Sequence, residues 1–241
     1  MKTAANSGMA DRAVALIAAL NEAERVGDTV EAIRAIDGVD EVVVVDGGSS
    51  DATVDEALRA GAKVLLAPPS ARGKGGALEG ALDRLERAEI YLLLDADLGS
   101  SAKEAEALLE AVRSGAADLA IGVLPRQAGH GGFRLVKRTA RGVIRFLSGF
   151  DAEEPLSGQR AIRAEVLDAV RPLAPGFGVE VAMTIDAARA GFRVVEVPVG
   201  MDHAVTGRDV RGFLHRARQG RDLVRAALPR LTGRGSRRTA R

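Results

Sequence analysis

Two aspartates, Asp95 and Asp97, stand one residue apart at the end of the apolar run 90–94. Such a run is typical of a strand covered on both faces of a parallel sheet, and ligands of these sheets bind beyond the carboxyl ends of the strands. Carboxylates at i and i+2 of an extended segment point the same way and can approach one hard cation, such as Mg²⁺ or Mn²⁺. An isolated pair of this kind more often forms a turn, so the other strand ends bear on the choice. The spacing predicts a divalent-metal site that could hold a diphosphate.

Polar or glycine-rich segments follow three further predicted strands. Leu20 and Glu22 end the first apolar run, Asp46 opens a Gly-Gly-Ser-Ser loop after the second, and Lys74 lies among glycines after the third. Strands that alternate with helices form a mainly parallel sheet through right-handed crossovers, which brings all four segments to one edge. There a carboxylate can accept from a nucleobase N–H, and an ammonium can reach an anion or a base edge. Lys74 is followed by glycine, so this is not a P-loop.

Helix signals lie between and after these strands. Ser101 and Glu104 have the spacing of a capping box, which predicts the start of a helix. A basic amphipathic helix is predicted over residues 133–147, a loop over 150–158 and a further helix over 164–170.

Composition limits the classes of protein. The chain has 241 residues, of which 46% are hydrophobic and 28% charged, as expected for one globular domain. Because there is no cysteine, disulfides, thiolate metal sites and a cysteine nucleophile are excluded. No apolar run approaches the roughly 20 residues that span a bilayer. We expect a cytoplasmic protein with a flexible N-terminal arm over residues 1–12 and one domain over 13–206.

The C-terminal residues 207–241 differ from the rest of the chain in charge. They carry eleven Arg, no Lys and two Asp, a formal charge of +9 against −8 for the remainder. The pattern predicts a basic amphipathic helix and tail, which suits an anionic acceptor, a membrane surface or nucleic acid, although a solvated helix face is the plainer alternative. We predict no nucleic-acid partner. A homodimer formed through this helix is left open.

Taken in order, the four strand ends resemble the nucleotide-sugar half of GT-A glycosyltransferases, particularly the family 2 enzymes and the related glucosyl-3-phosphoglycerate synthases. The similarity extends over residues 14–203. It implies an α/β fold of the GT-A type, with a mainly parallel sheet flanked by helices, and metal-dependent transfer of a hexose from a nucleoside diphosphate sugar. UDP-glucose is the favoured donor, but Gly47 replaces an acidic residue common in family 2, which weakens the base assignment. The residues implied in nucleotide-sugar binding are Leu20, Glu22, Asp46, Lys74, Asp95 and Ala96.

The resemblance also implies a metal site and a sugar pocket. Asp97 is the strongest expected ligand of Mg²⁺ or Mn²⁺ and a catalytic residue, with Asp95 as a second ligand or a ribose partner. His203 resembles the histidine that completes the metal site in the phosphoglycerate-type enzymes. Glu180 lies in a segment that looks like the one whose acid lines their sugar and acceptor pocket. A carboxylate there can hydrogen-bond sugar hydroxyls, so Glu180 is the second expected catalytic residue.

Two acceptor classes remain open. Arg134 lies in a segment similar to the acceptor-phosphate segment of the phosphoglycerate-type enzymes, although Val136 stands where those enzymes offer a hydroxyl. Gly158 and Gln159 lie in a segment that echoes the acceptor loop of lipid-phosphate glycosyltransferases. The leading expectation is a phosphorylated small-molecule acceptor such as 3-phosphoglycerate, and the alternative is a polyprenyl phosphate at a membrane surface. Stereochemistry is not predicted and no catalytic base is assigned.

Two other functions are weighed against glycosyl transfer. A sugar-phosphate nucleotidyltransferase would need a Gly-rich loop after the first strand, and residues 18–22 supply none. A non-catalytic nucleotide-sugar-binding protein would lose metal ligands or the acceptor pocket, and the sequence retains candidates for both.

Overall fold

One seven-stranded sheet organises the computed structural model, which describes residues 11–125, 131–202 and 230. The strand order is β3-β2-β1-β4-β6-β5-β7. The pairs are parallel except those that β6 makes with β4 and β5. The strands are β1 Ala13–Ala19, β2 Val39–Asp46, β3 Lys63–Leu66, β4 Ile90–Asp95, β5 Leu119–Val123, β6 Arg160–Arg163 and β7 Val194–Pro198.

Helices cover both faces of the sheet. The α-helices are α1 Val26–Arg34, α2 Thr53–Arg59, α3 Gly73–Leu82, α4 Ala105–Arg113, α5 Gly131–Ser148, α6 Ala164–Val170 and α7 Val179–Arg189, and short 3₁₀ turns span Gly99–Glu104 and Gly176–Gly178. In β1, Ala15 and Ile17 face the layer of α1, α2 and α4, whereas Val14 and Leu16 face the layer of α3, α6 and α7. Strands buried on both faces explain the continuous apolar runs of the sequence.

Helix α5 forms an outer layer. Its Ala140, Ile144 and Leu147 pack with Val181 and Ile185 of α7 in a separate apolar cluster. Helix α7 is therefore buried between the sheet and α5, which fixes its position.

The parallel pairing brings the predicted segments to one edge. Asp46 lies beside Ala19 in the β1–β2 register, and Asp95 lies beside Ala18 in the β1–β4 register. The end of β1 therefore stands between the two carboxylates. The predicted α/β class and the helix over residues 133–147 agree with this architecture.

One local prediction was wrong and one strand was missed. The capping box was misplaced, because a 3₁₀ turn already begins at Gly99 and the Ser101 hydroxyl instead donates to the Leu98 carbonyl at 2.7 Å. Strand β6 was not predicted, since Arg160 and Arg163 gave it no apolar run.

Residues 207–241 lie outside the described residues except Arg230, whose Nε donates to the Asp186 carboxylate at 2.8 and 2.9 Å. The N-terminal arm also lies outside them, apart from residues 11 and 12.

Gly75 permits a close approach between α3 and the segment that leads into α7. A Cβ at this position would lie 1.9 Å from the Ala174 carbonyl oxygen, which belongs to the backbone and cannot simply rotate away. We predict that Gly75→Ala lowers the free energy of unfolding by about 1–3 kcal/mol or more, as expected for overpacking. Gly27 is the matched control, because it lies in α1 and a Cβ added there would have no atom within 4 Å. There alanine should stabilise by up to about 1 kcal/mol. Urea unfolding followed by circular dichroism measures both, and equal stability of the two variants would contradict the close packing inferred at Gly75.

Candidate active site

A largely buried lysine, with 14% of its side chain exposed, joins two carboxylates at the centre of the site. The Lys74 Nζ, in the first turn of α3, lies 2.6 Å from the Asp95 Oδ1 and 3.1 Å from the Glu180 Oε1. Burial lowers the pKa of the Lys74 ammonium, but the carboxylates of Asp95 and Glu180 outweigh it and leave the pKa above its ordinary value. The cation therefore ties the end of β4 to the starts of α3 and α7.

Gly158 and Gln159 fit closely around Asp95. The Gln159 Nε2 donates to the Asp95 Oδ2 at 2.7 Å, and its Oε1 accepts from the Asp95 backbone N–H at 3.1 Å. At Gly158, a Cβ would lie 2.4 Å from the Asp95 Oδ2 and 2.5 Å from the Lys74 Nζ, so a larger residue would displace the ends of both side chains. Gln159 is fully buried. The geometry makes it a positioning residue for Asp95, and its contact with an acceptor stays a prediction.

Helix α1 supports the turn that carries Asp97. The Thr29 hydroxyl donates to the Ala96 carbonyl at 2.9 Å and accepts from the Gly99 N–H at 2.8 Å. The Arg25 Nη1 donates to the Asp97 carbonyl at 2.6 Å. These backbone contacts fix the position of the main chain from which the Asp97 side chain extends. Arg25 and Thr29 were not predicted from the sequence, because their role depends on a tertiary contact that no local pattern reports.

Glu22 lies near the two aspartates. Its backbone N–H donates to the Thr53 hydroxyl at 2.8 Å, which joins the loop after β1 to the start of α2. Burial, followed by the negative charges of Asp97, Asp95 and Asp51, raises the pKa of Glu22 from 4.5 to about 7. The Leu20 side chain is exposed beside it. The end of the sheet thus concentrates negative charge around one acid that resists ionisation.

This donor set fits a hard divalent cation. Carboxylate oxygens are the ligands that Mg²⁺ and Mn²⁺ prefer, and a cation near Asp97 would relieve the repulsion that Glu22 experiences. In the part of the chain that the structure describes, no group of three His, Asp or Glu side chains forms a complete metal site. The predicted third ligand, His203, lies outside that part, so the predicted ligand set stays a prediction.

Asp46 is buried and shapes the loop that follows β2. Its Oδ2 accepts from the Gly48 and Ser49 N–H groups at 2.9 and 3.0 Å, and its Oδ1 accepts from the Ser49 hydroxyl at 2.5 Å. The turn function, which is the alternative to nucleobase binding, is therefore present. Each carboxylate oxygen accepts about two hydrogen bonds, so Oδ1 retains capacity for a base N–H.

Arg160 was not among the predicted site residues. Its guanidinium is buried, with Nε donating to the Ser157 carbonyl at 2.9 Å and Nη1 to the Thr184 hydroxyl at 3.0 Å. Burial lowers the pKa of Arg160 to about 10, which still leaves a cation at neutral pH. A small cavity above it is also lined by Lys74, Gly158 and Glu180. The sequence signal that could have indicated Arg160 is an arginine inside a short strand.

The predicted acceptor side is described only in part. Arg134 lies in the first turn of α5, and its predicted phosphate contact falls outside the described side chains. Lys137 forms an ion pair with Glu154, and Arg141 binds both oxygens of Asp151 at 2.8 Å. Two acids that could serve as bases are therefore paired with cations. These pairs also attach α5 to the loop that precedes Gly158.

Comparison with known proteins identifies relatives of this architecture. The sequence model of glycosyl transferase family 2 matches residues 14–168. Glycosyltransferase AglJ of Haloferax volcanii is 32% identical over 186 residues, which cover 74% of this chain and 59% of AglJ. An undecaprenyl-phosphate mannosyltransferase of Micrococcus luteus is 33% identical over 205 residues, which cover 78% of this chain and 82% of that enzyme. The chain thus spans less than two thirds of AglJ but most of the second relative.

Solved structures extend the likeness. Glucosyl-3-phosphoglycerate synthase from Mycobacterium tuberculosis, in complex with Mn²⁺, UDP-glucose and phosphoglyceric acid, matches with a TM-score of 0.77 and 26% identity. The match covers 92% of this chain and 80% of that chain. The same synthase has been solved with Mg²⁺ and UDP. These neighbours are GT-A glycosyltransferases, so the predicted fold is confirmed.

The raised pKa of Glu22 predicts a pH dependence of stability. In the unfolded chain Glu22 loses its proton near pH 4.5, whereas the folded state retains it until about pH 7. The folded state therefore binds more protons in this window, and the contribution of Glu22 to the free energy of unfolding falls as pH rises through it. In Glu22→Gln, the free energy of unfolding should fall less between pH 4.5 and about 7 than in the wild type.

Carboxyl carbon NMR checks the assignment directly. In a pH titration of ¹³C-glutamate-labelled protein, one carboxyl resonance should shift with a midpoint near pH 7, and Glu22→Gln should remove that resonance. Mg²⁺ should shift this midpoint to lower pH, because an added positive charge favours the ionised acid. A midpoint that ignores Mg²⁺ would argue against a cation near Asp97.

Proposed function

The chain belongs to glycosyl transferase family 2, and from that premise we propose that it transfers a hexose from a nucleoside diphosphate sugar to a phosphorylated acceptor. The favoured donor is UDP-glucose. One observation carries the proposal: the buried Lys74 joins Asp95 and Glu180 at the strand edge where Asp97 also lies. This arrangement offers a cation, sugar-binding carboxylates and a metal ligand within one site.

On the donor side, each group has a distinct task. Asp46 and Glu22 contact the nucleoside, with Leu20 and Ala96 contributing from the adjoining loops. Asp97 binds the metal, Asp95 contacts either the metal or the ribose, and His203 is the proposed third ligand. When bound, Mg²⁺ or Mn²⁺ supplies positive charge that neutralises the diphosphate leaving group. The M. tuberculosis synthase was solved with such an ion and UDP-glucose, which supports this assignment.

On the sugar side, Glu180 accepts hydrogen bonds from hexose hydroxyls. Lys74 keeps Glu180 oriented, because the side chain of Glu180 is only 10% exposed and its oxygen lies within ion-pair distance of the ammonium. The Gln159 amide donates to the other carboxylate oxygen of Asp95 and so helps to hold that side chain in place. Preorganised charges in a site shielded from water act more strongly than the same charges in solvent.

The leading acceptor is a phosphorylated small molecule such as 3-phosphoglycerate. The match to a synthase solved with phosphoglyceric acid supports it. Arg134 would bind the acceptor phosphate, since a guanidinium can hold a phosphate with two hydrogen bonds.

The second candidate acceptor is a polyprenyl phosphate. The named activity of the M. luteus relative favours it, because this chain covers 82% of that enzyme. Within residues 11–125, 131–202 and 230, no helix is long and apolar enough to cross a membrane. A lipid acceptor would therefore have to reach the site from a membrane surface on which the described domain lies.

Asp97→Asn tests the metal assignment. The amide keeps the shape of the side chain but removes its charge, so we expect turnover of the nucleotide sugar to fall by about a hundredfold or more, or roughly 2.7 kcal/mol in the barrier. The assay follows release of nucleoside diphosphate with Mg²⁺ or Mn²⁺. Asp55→Asn on the exposed part of α2 provides the control and should keep its rate. Near-normal turnover by Asp97→Asn would remove Asp97 from the metal site.

Asp46→Asn tests base recognition. Binding of UDP should weaken by about 1–3 kcal/mol, the usual cost of losing a charged hydrogen-bond partner. Because Asp46 also shapes its loop, Ser49→Ala is the matched control, as it removes the hydroxyl that donates to Asp46 and accepts from the Asn21 N–H but leaves the carboxylate. Calorimetric titration of UDP should therefore show a large loss for Asp46→Asn and a small one for Ser49→Ala. Equal losses in both variants would assign Asp46 to the turn alone.

Acceptor trials separate the two acceptor classes. The enzyme is supplied with UDP-glucose and divalent metal, and then with either 3-phosphoglycerate or a short polyprenyl phosphate in detergent. Acceptor-dependent release of UDP with the first compound supports the leading proposal, and release with the second alone reverses it. If neither supports transfer, a panel of other nucleotide sugars is tested with both acceptors. Failure of the whole panel would contradict the proposed transfer.

A further inference from the structure

Helix α5 carries an exposed stripe that the catalytic proposal does not use. Residues on this outer stripe recur at helical spacing, and Leu135 and Phe146 expose 67% and 80% of their surface. Between them lie two exposed arginines. The members of the α5 outer stripe are Leu135, Arg138, Thr139, Gly142, Arg145 and Phe146.

The two arginines of the stripe form no close ion pair. Helix α5 contains no acidic residue. The ion pairs that its described side chains form are made by Lys137 and Arg141, which lie beside the stripe. Arg138 and Arg145 form none among the described residues, although the pKa of the Asp151 carboxyl is lowered by its hydrogen bond from Arg141 and also by the nearby charge of Arg145. The outer face of α5 thus combines two large apolar groups with two cations available to an outside partner.

The opposite face of α5 is already packed against α7. Ala140, Ile144 and Leu147 are buried against α7, so the apolar residues of the stripe are additional to those required for folding. Leu135 and Phe146 are eleven residues apart, which is about 16 Å along a helix. A partner that contacts both must therefore lie flat along the helix.

We propose that the α5 outer stripe docks on the surface of an anionic lipid bilayer. An interfacial helix places aromatic and aliphatic side chains at the acyl boundary while its arginines extend toward lipid phosphates. Leu135, Phe146, Arg138 and Arg145 provide this combination. The docking is independent of the proposed donor chemistry, and it lies on a different segment from the basic residues 207–241.

A second copy of the chain fits the stripe less well. In a symmetric contact through α5, Arg138 and Arg145 of one copy would face the same arginines of the other. Like charges brought together out of water are unfavourable, and no acidic residue of α5 is available to compensate them. Anionic lipid supplies the opposite charge along the whole helix.

Docking through α5 would also orient the acceptor loop. The Lys137–Glu154 and Arg141–Asp151 ion pairs join α5 to the segment that leads into Gly158 and Gln159. The loop would then lie close to the bilayer, where the phosphate of a lipid is found. The surface is therefore of direct interest for the second acceptor class.

A single tryptophan reports the contact. The chain contains no Trp, so Phe146→Trp creates a unique fluorophore on the stripe of the full-length protein. With phosphatidylglycerol vesicles, its emission should shift to the blue and be quenched by brominated lipid. Leu58→Trp is the control, because Leu58 is 53% exposed on α2, and its emission should not change. A blue shift of Phe146→Trp that appears without vesicles and grows with protein concentration would assign the stripe to a second copy instead.

Charge reversal distinguishes binding through the α5 outer stripe from a general attraction of the protein's net charge to anionic vesicles. Arg138→Glu with Arg145→Glu should weaken binding to phosphatidylglycerol vesicles by about thirtyfold or more, from roughly 1 kcal/mol per basic residue. Arg59→Glu with Arg84→Glu makes the same change of net charge at exposed positions elsewhere and should have a small effect. Equal weakening by both pairs, or an absence of binding by the wild-type chain, would overturn the proposal. Melting curves verify that all variants are folded.

Discussion

The ammonium of Lys74, buried between Asp95 and Glu180, is the interaction on which the arrangement of the site depends. An ion removed from water is tolerated only when opposite charges and hydrogen bonds surround it. Lys74 meets this condition with one carboxylate from the end of β4 and another from the start of α7. Removing the cation would leave two acids close together without the ammonium between them. The charge pairing thus sets the geometry of the site.

Close backbone packing makes this pairing possible. Gly75 lets α3 approach the Ala174 carbonyl, which brings the start of α3 next to the start of α7. Gly158 allows its loop to lie against Lys74 and Asp95 without a clash. On the other side, Thr29 holds the turn between Ala96 and Gly99. The carboxylates are therefore positioned by rigid elements on both sides of the sheet edge, as preorganised catalysis requires.

The parts that could be predicted from sequence are those with local signals. Asp46 and Asp95 follow apolar strands, and the alternation of strands and helices places both at one edge, so their proximity follows from topology. The buried face of α5 follows from its helical period. What sequence did not reveal depends on contacts between distant segments. Lys74 was expected to meet a ligand, but its pairing with Glu180 joins segments that are far apart in sequence.

Polar residues outside the motifs were the harder cases. The predicted contact of Gln159 with an acceptor stays a prediction, but its contact with Asp95, a partner 64 positions away in sequence, was not foreseen. Arg160 lies in a strand too short and too polar to be recognised, and its buried contacts are made with Ser157 and Thr184. A capping pattern at Ser101 was overridden because the preceding turn had already begun the helix. In each case the structure adds tertiary or local hydrogen bonds that no sequence pattern reports.

The most direct test is the rate of nucleoside diphosphate release by Lys74→Met from a nucleotide sugar that the wild type turns over, with Lys63→Met as the control. Lys63 is also paired with an acid, but its side chain is 51% exposed and lies away from the site. Both variants are assayed with Mg²⁺ at a temperature where circular dichroism shows them folded. We expect Lys74→Met to be slower by about a hundredfold or more, while Lys63→Met stays within about twofold of the wild type. Wild-type rates from folded Lys74→Met would show that the buried cation is not what organises the active site.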